Sequence, residues 1–442
     1  MNNSFISVEK SLPLSGEVEL VGAKNAVLVI IASLILTSGS SVLHNVPVSA
    51  DVFEMIELLR CLGAIIFFNT EQHQLLVDTS TISSWCVSST IMQKTRASIL
   101  IMGALLARCG KAQVGLPGGD AIGRRPIDYH LNNFTKMGVV VQQDGDYLCA
   151  SVDSLECARI VLEYPSVGAT ENIIMAATRA KGVTKIINAA CEPEVFDLIE
   201  CLRKMGARIS VEAPATIVIE GVDILHPIEH TVIFDRLEAG SLLIAAAATG
   251  GEINLPQASG EYLDVFLLKL QEMGHIVVVG SDGKGIYLKA TPLPRAVSFK
   301  TGPYPGFPTD LQAPMMALQC CAQGTSIIEE TVFENRFHHA HELVKMGANI
   351  TIEHNKAFVT GVEHLYGAEV MATDIRASTA LVIAGLVAHG ITTVYGLQHW
   401  KRGYEALEKK LQCLGANIMI DETYNKEIMI HKNKVTEKHG FR

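Results

Sequence analysis

Met205-Gly206-Ala207-Arg208-Ile209-Ser210-Val211 reads as a helix end, a glycine stop and a strand of alternating character. The same order returns at Leu62-Gly63, Met137-Gly138, Met273-Gly274, Met346-Gly347 and Leu414-Gly415. Successive glycines of this phrase stand 75, 68, 68, 73 and 68 residues apart. Ahead of it, in every copy, an Ala- and Leu-rich helix closes on Gly39, Gly110, Gly182, Gly250, Gly324 or Gly390. A strand follows each of these, as in Thr184-Lys185-Ile186-Ile187. The two glycines keep a spacing of 23 to 28 residues in all six copies, which chance recurrence does not explain. The chain therefore reads as an α/β protein of six units, each helix, strand, helix, strand, with further strands linking the copies. A solenoid is the competing arrangement of such repeats. At 442 residues the chain is too long for one core, and two domains are expected.

Composition agrees with α/β layers. Hydrophobic residues make up 48% and aromatics 6%, so Ala, Val, Ile and Leu fill the interior. Lys and Arg total 36 against 46 Asp and Glu, a net charge of −10. Such a surface argues against non-specific nucleic-acid binding, and an anionic ligand needs a local cluster of cations. The apolar run Ala26 to Leu36 is too short to span a bilayer, and the N-terminal stretch lacks the pattern of a secretion signal. A cytoplasmic protein with no membrane partner is expected. The ten cysteines show no zinc spacing; Cys109 and Cys201 lie in apolar helical runs and read as buried thiols.

The long helices carry the functional signal. At or near their starts stand Lys24-Asn25, Arg96, Thr170-Glu171, Asp235-Arg236, Asp310, and Asp374 with Arg376. Helix starts offer unpaired N–H groups and positive potential. A capping acid explains any one of them. Three arginines do not fit that reading, because a helix start disfavours a cation. The apolar stretches downstream, such as Ala377 to Leu386, place these helices in domain centres, so their starts could face one cleft. The loop Leu116-Pro117-Gly118-Gly119-Asp120-Ala121-Ile122-Gly123-Arg124-Arg125-Pro126 combines three glycines, two arginines and one acid. It suits close approach to a phosphate, or a mobile surface loop. It matches neither a Walker A sequence nor a dinucleotide fingerprint. His338-His339-Ala340-His341-Glu342 has no matching further ligands, and neither a metal nor a cofactor is expected.

Eight motifs together resemble the enolpyruvyl transferases that act on UDP-N-acetylglucosamine. They are Gly22-Ala23-Lys24-Asn25, Thr95-Arg96-Ala97-Ser98, the Gly118 to Pro126 loop with Asp128 and His130, and Pro165-Ser166-Val167-Gly168-Ala169-Thr170-Glu171-Asn172. The rest are Phe307-Pro308-Thr309-Asp310, Thr331-Val332-Phe333-Glu334-Asn335-Arg336-Phe337, Thr373-Asp374-Ile375-Arg376-Ala377-Ser378 and Arg402-Gly403-Tyr404-Glu405. The match runs in order from about Val18 to Asp421. The shikimate-pathway relative shares the fold but lacks the Gly-Ala-Lys-Asn and Glu-Asn-Arg-Phe patterns.

The resemblance implies two inside-out α/β barrel domains of three units each. One would comprise residues 1–23 and 234–442, the other 24–233, with chain crossings near Lys24 and Phe234. Substrates would bind between them. The implied reaction joins phosphoenolpyruvate to the 3′-hydroxyl of UDP-N-acetylglucosamine and expels phosphate, the first committed step of peptidoglycan synthesis. Asp310 would be the base for the sugar hydroxyl, and Lys24, Arg125 and Arg402 would hold phosphoenolpyruvate. Arg96 and Arg376 would face an anionic ligand or partner, and Asp374 would pair with an Arg or Lys and organise the site. Asn25, Ser166, Val167, Val332 and the stretch Arg125, Pro126, Ile127, Asp128, Tyr129 and His130 would hold sugar and uridine. Asp120 is the main departure, since most of the family carries cysteine there. It exchanges a soft nucleophile for an oxygen acid that can still act as general acid if protonated. Lys401 and Arg124 also depart, each adding positive charge. The implied alternative is a non-catalytic paralogue that binds a nucleotide sugar, and retention of both acid and base speaks against it.

Overall fold

The computed structural model describes residues 4–87, 97–115 and 127–422. These form six separate sheets, one for each sequence unit. The third unit shows the pattern. Val183–Ile187 pairs antiparallel with Thr216–Glu220, which pairs antiparallel with Arg208–Glu212, and Arg159–Val161 adds a parallel edge. Five sheets have four strands; the second unit has three, Lys111–Gly115, Tyr147–Ser151 and Val140–Asp144. There a single parallel bridge, Cys86 to Gln113, stands where the other units have a strand. The sixth sheet is completed from the far end of the chain. Phe5–Glu9 lies between Ile391–Tyr395 and Asn417–Asp421, antiparallel to both. Among the described residues the sheets do not close into a hydrogen-bonded barrel.

The repeating glycines do what the pattern requires. Gly63 has φ +107° and Gly110 has φ +66°, and the other ten of the two phrases also have positive φ. Each lets the chain leave a helix and double back as a strand without a Cβ penalty.

The first helix of each unit lies inside and the sheets lie outside. Lys24–Ser33, Ile101–Cys109 and Val167–Ala177 belong to one hydrophobic core, whose residues run from Ala23 to Val232. Arg236–Thr249, Gln312–Gln319 and Ile375–Val387 belong to a second core, built from Ile6 to Leu20 and Leu237 to Ile418. Beyond their first turns these helices carry apolar or small residues on nearly every side, which suits burial from all directions rather than an amphipathic surface. The chain passes between the cores at two adjacent points. The Ala23 N–H donates to the Ile233 carbonyl at 2.7 Å, and the Asp235 N–H to the Val21 carbonyl at 2.9 Å.

One expectation about the core fails. Cys109 is exposed, because it is the last residue of its helix and faces outward where the chain turns at Gly110. Cys201 is buried as expected, and burial pushes its thiol up to about 12.

Candidate active site

Where the cores meet, the helix starts gather. The Gly-Ala-Lys-Asn segment begins with a residue that must be glycine, since a Cβ at Gly22 would lie 1.8 Å from the Asn45 carbonyl oxygen. This close contact sets Lys24 at the first position of its helix with only 8% of its surface exposed. A cation there opposes the helix dipole, so it needs an anion. Asp51 supplies one, with Oδ2 3.1 Å from Lys24 Nζ. Its other oxygen, Oδ1, lies 3.0 Å from Arg402 Nε. The two cations hold the Asp51 carboxyl below its ordinary value although burial pushes the other way. Asn25, the next residue, is exposed.

A second cluster surrounds Asp310, in the 3-10 turn Thr309–Leu311 that leads into the Gln312 helix. Arg336 Nη2 donates to Oδ1 at 2.6 Å, while Arg376 donates to Oδ2 from Nε at 3.0 Å and Nη2 at 2.6 Å. Both guanidinium side chains are 5% exposed, and Asp310 is 24% exposed. Burial favours the neutral acid, but the two arginines hold Asp310 far below the usual carboxylate range. Arg336 also donates to Thr309 Oγ1 at 2.7 Å, and that hydroxyl donates to Glu330 at 2.8 Å. The Val332 N–H donates to the same carboxylate at 2.8 Å. Arg376 Nη1 donates to the Tyr404 hydroxyl, which is 2.8 Å from Ser241 Oγ.

Tyr404, which Arg376 contacts, lines a cleft together with Lys24, Ser49, Asp235, Gly403 and Glu405. Asp235 caps the Arg236 helix through the Leu237 and Glu238 N–H groups, and its other oxygen accepts the Lys24 N–H at 3.4 Å.

A third group lies at the start of the Val167 helix. Ser166 caps it, with Oγ accepting the Ala169 N–H at 3.4 Å. His130 is buried, with Nδ1 3.0 Å from the Asn172 amide nitrogen. That nitrogen can only donate, so Nδ1 is the acceptor; burial lowers the ring to about 4 and keeps it neutral. Asp128 is exposed and Tyr129 half-buried on the same helix. Near this group, Arg236 forks onto Glu194, from Nε at 3.0 Å and Nη2 at 3.2 Å. Glu171 is buried close to Glu194 and Glu192, and burial with these neighbouring acids raises its carboxyl well above the ordinary range.

Among the expected site residues, Lys24 and Arg402 meet on Asp51, Asp310 and Arg376 meet in the second cluster, and Val332 is joined to that cluster through Glu330. Ser166, Val167 and His130 form the separate group just described. Arg96, Asp120, Arg125 and Pro126 lie outside the described residues, as does Arg124. Asp374 was expected to pair with a cationic side chain. Instead it caps its helix, with Oδ1 accepting the Arg376 and Ala377 N–H groups at 2.9 Å each, and among the described residues it has no Lys or Arg ion pair. Lys401 is paired with Glu422. His339 is buried, and burial lowers its ring to about 4. Four participants escape the sequence reading: Asp51, Arg336, Glu330 and Tyr404. Arg336 and Tyr404 lie inside recognised motifs, but nothing local gives their partners. Asp51 looks like an ordinary acid in a first helical turn.

Comparison with known proteins fits this geometry. A family model described as EPSP synthase (3-phosphoshikimate 1-carboxyvinyltransferase) matches residues 8–411. UDP-N-acetylglucosamine 1-carboxyvinyltransferase 1 of Caldanaerobacter subterraneus is 48% identical over 95% of this chain and 99% of that protein. The UDP-N-acetylglucosamine 1-carboxyvinyltransferase of Shewanella woodyi is 46% identical over 94% and 99%. The enolpyruvyl transferase NikO from Streptomyces tendae superposes with a TM-score of 0.86 at 25% identity, covering 95% of this chain and 99% of that one. EPSP synthase from Acinetobacter baumannii superposes with a TM-score of 0.75 at 16% identity, over 95% and 100%, a likeness of fold alone. Six units with inner helices and outer sheets are thus the enolpyruvyl transferase fold, and the chain belongs to the EPSP synthase family of carboxyvinyltransferases.

Proposed function

We propose that this protein transfers the enolpyruvyl group of phosphoenolpyruvate to the 3′-hydroxyl of UDP-N-acetylglucosamine and releases phosphate. The observation that carries the reading is Asp310 held ionised between Arg336 and Arg376, with Tyr404, which Arg376 contacts, lining the same cleft as Lys24. Relatives carrying that activity in their names, 46% and 48% identical over almost their whole length, support it. The division into a domain of residues 24–233 and a second of 1–23 with 234–442 belongs to the same reading, and the two hydrophobic cores support it.

The chemistry assigns the roles. The sugar oxygen adds to C2 of phosphoenolpyruvate while a proton adds to C3, giving a methyl group. Loss of a methyl proton and expulsion of phosphate from C2 restore the double bond. Asp310 is the candidate base for the sugar hydroxyl. An ionised carboxylate accepts that hydrogen bond at once, and substrate anions entering the cleft would weaken the arginines' hold and raise its basicity. Lys24, Arg125 and Arg402 would bind the phosphate and carboxylate of phosphoenolpyruvate, and Asp120 would supply the proton to C3. Arg96 and Arg376 would screen the anionic ligands. Asp374 would act by setting the first turn that carries Arg376. Asn25, Ser166, Val167, Val332 and Arg125 to His130 would hold the nucleotide sugar, His130 as a neutral packed ring.

The acceptor is tested by offering UDP-N-acetylglucosamine and 3-phosphoshikimate separately with phosphoenolpyruvate and analysing products by mass spectrometry. The enolpyruvyl ether should form on the nucleotide sugar. Formation on 3-phosphoshikimate alone would overturn the reading.

A further inference from the structure

Asp51 has an unusual position. It sits in the first turn of the helix Ala50–Leu62, where Val52 and Met55 pack into the first core. Arg402 comes from the helix Leu397–Gly403, where Leu397 and Trp400 pack into the second core. The Asp51 carboxylate therefore joins the two halves of the molecule. One oxygen is 3.1 Å from Lys24 on its own side, and the other is 3.0 Å from Arg402 across the gap. Its side chain is 8% exposed. Two buried or half-buried cations are thus assembled around one carboxylate, and they are the cations that the proposed function assigns to an anionic substrate.

We propose that Asp51 is a stand-in anion: it occupies Arg402 while the site is empty and yields it to the phosphate or carboxylate of the incoming substrate. Three physical points carry this. Two cations brought together in a partly dehydrated cleft repel each other unless an anion lies between them. A buried carboxylate with both oxygens engaged compensates its own desolvation only through such pairs. An arriving anion with more charge than one carboxylate competes for the guanidinium, and a planar fork matches phosphate as well as it matches carboxylate. Asp51 keeps Lys24 from its own helix side during the exchange, so its charge is never left alone. Asp51 is in this account a positioning residue, acting through Lys24 and Arg402. The idea rests on the assignment of those two cations to phosphoenolpyruvate.

The probe is inorganic phosphate, with its dissociation constant measured by calorimetry at fixed ionic strength. Asp51→Asn keeps the shape and removes the competing charge. Phosphate should bind at least about tenfold more tightly than to wild type, as loss of one nearby unit charge in a medium of intermediate dielectric implies. Asp51→Glu, which restores the charge, should return to within about twofold of wild type. In an Arg402→Gln background the gain from Asp51→Asn should vanish, because the competition is for Arg402. Equal or weaker phosphate binding by Asp51→Asn would overturn the proposal, since a permanent orienting role predicts that loss. A gain that persists without Arg402 would also overturn it, as simple repulsion. Asp51→Ser, a residue suited to a helix start, takes the place of the Asn variant if that one does not fold. Wild-type enolpyruvyl transfer is assayed alongside. Its absence would defeat the proposed function, while the phosphate measurements would still decide the role of Asp51.

Discussion

Replacing Asp310 by Asn removes the charge that neutralises two guanidinium groups, each 5% exposed. The Asn carbonyl can accept from one arginine, but its amide then points donor to donor at the other. One arginine is left uncompensated. Breaking a buried pair in this way costs about 3–5 kcal/mol, and retention of one partner sets the expectation at about 3 kcal/mol. For a cooperative unit of 150–250 residues each kcal/mol lowers the melting temperature by roughly 2–4 °C, so a fall of roughly 6–12 °C is expected at pH 7. The pH dependence has a definite sign. The folded value of Asp310 lies well below the ordinary 3.8, so its stabilisation is complete above that value and is lost as pH falls through the folded one. The gap between wild type and Asp310→Asn should therefore be full at pH 7 and narrow only in strong acid. The assay is thermal unfolding of both proteins from pH 3 to 8, with turnover measured in parallel. In the proposed reaction Asp310 is the general base, and on that proposal its removal should lower kcat by about 10²- to 10⁴-fold. A variant melting within about 2 °C of wild type at pH 7 would refute the claim that the two arginines depend on this carboxylate.

Other outcomes follow from the same geometry. Burial and the neighbouring acids Glu194 and Glu192 raise the Glu171 carboxyl well above its ordinary value, so the stability it gives is complete below the ordinary 4.5 and is lost as pH rises from there through the folded value. Glu171→Gln should melt within about 2 °C of wild type at about pH 4, below the ordinary 4.5, and show a flatter decline as pH rises; an unchanged slope would contradict this. Cys201, pushed up to about 12, should stay unmodified by a thiol reagent at pH 8 in the folded protein while exposed Cys109 reacts, as read by peptide mass analysis. The resemblance implies that Asp120 stands where most of the family carries the cysteine that fosfomycin alkylates; on that assignment the wild type should resist the epoxide, and Asp120→Cys should keep turnover and become sensitive. An active but insensitive Asp120→Cys would contradict the loop assignment.

What the sequence made legible was local and periodic. Twelve glycines at positive φ end helices at fixed intervals, so the units and their order could be read directly. The starts of the inner helices were legible too, because polar residues next to long apolar runs stand out. Completion of the sixth sheet by Phe5–Glu9 was not, since it pairs the two ends of the chain and no local pattern records that. The same limit hid the partners within the site. Asp51 meets Arg402, and Asp310 meets Arg336 and Arg376, through folding rather than spacing. Asp374 misled in the opposite direction: an acid before an arginine suggests an ion pair, but its carboxylate is taken by the N–H groups of its own helix. Cys109 misled because an apolar helix does not reveal which residue of its last turn faces outward.

Phosphate release tests the central claim most directly. Wild-type protein is incubated with phosphoenolpyruvate, with and without UDP-N-acetylglucosamine, and free phosphate is followed with time. The account predicts sustained release that requires the nucleotide sugar and matches product formation one for one. Binding of UDP-N-acetylglucosamine with no release of phosphate would contradict it.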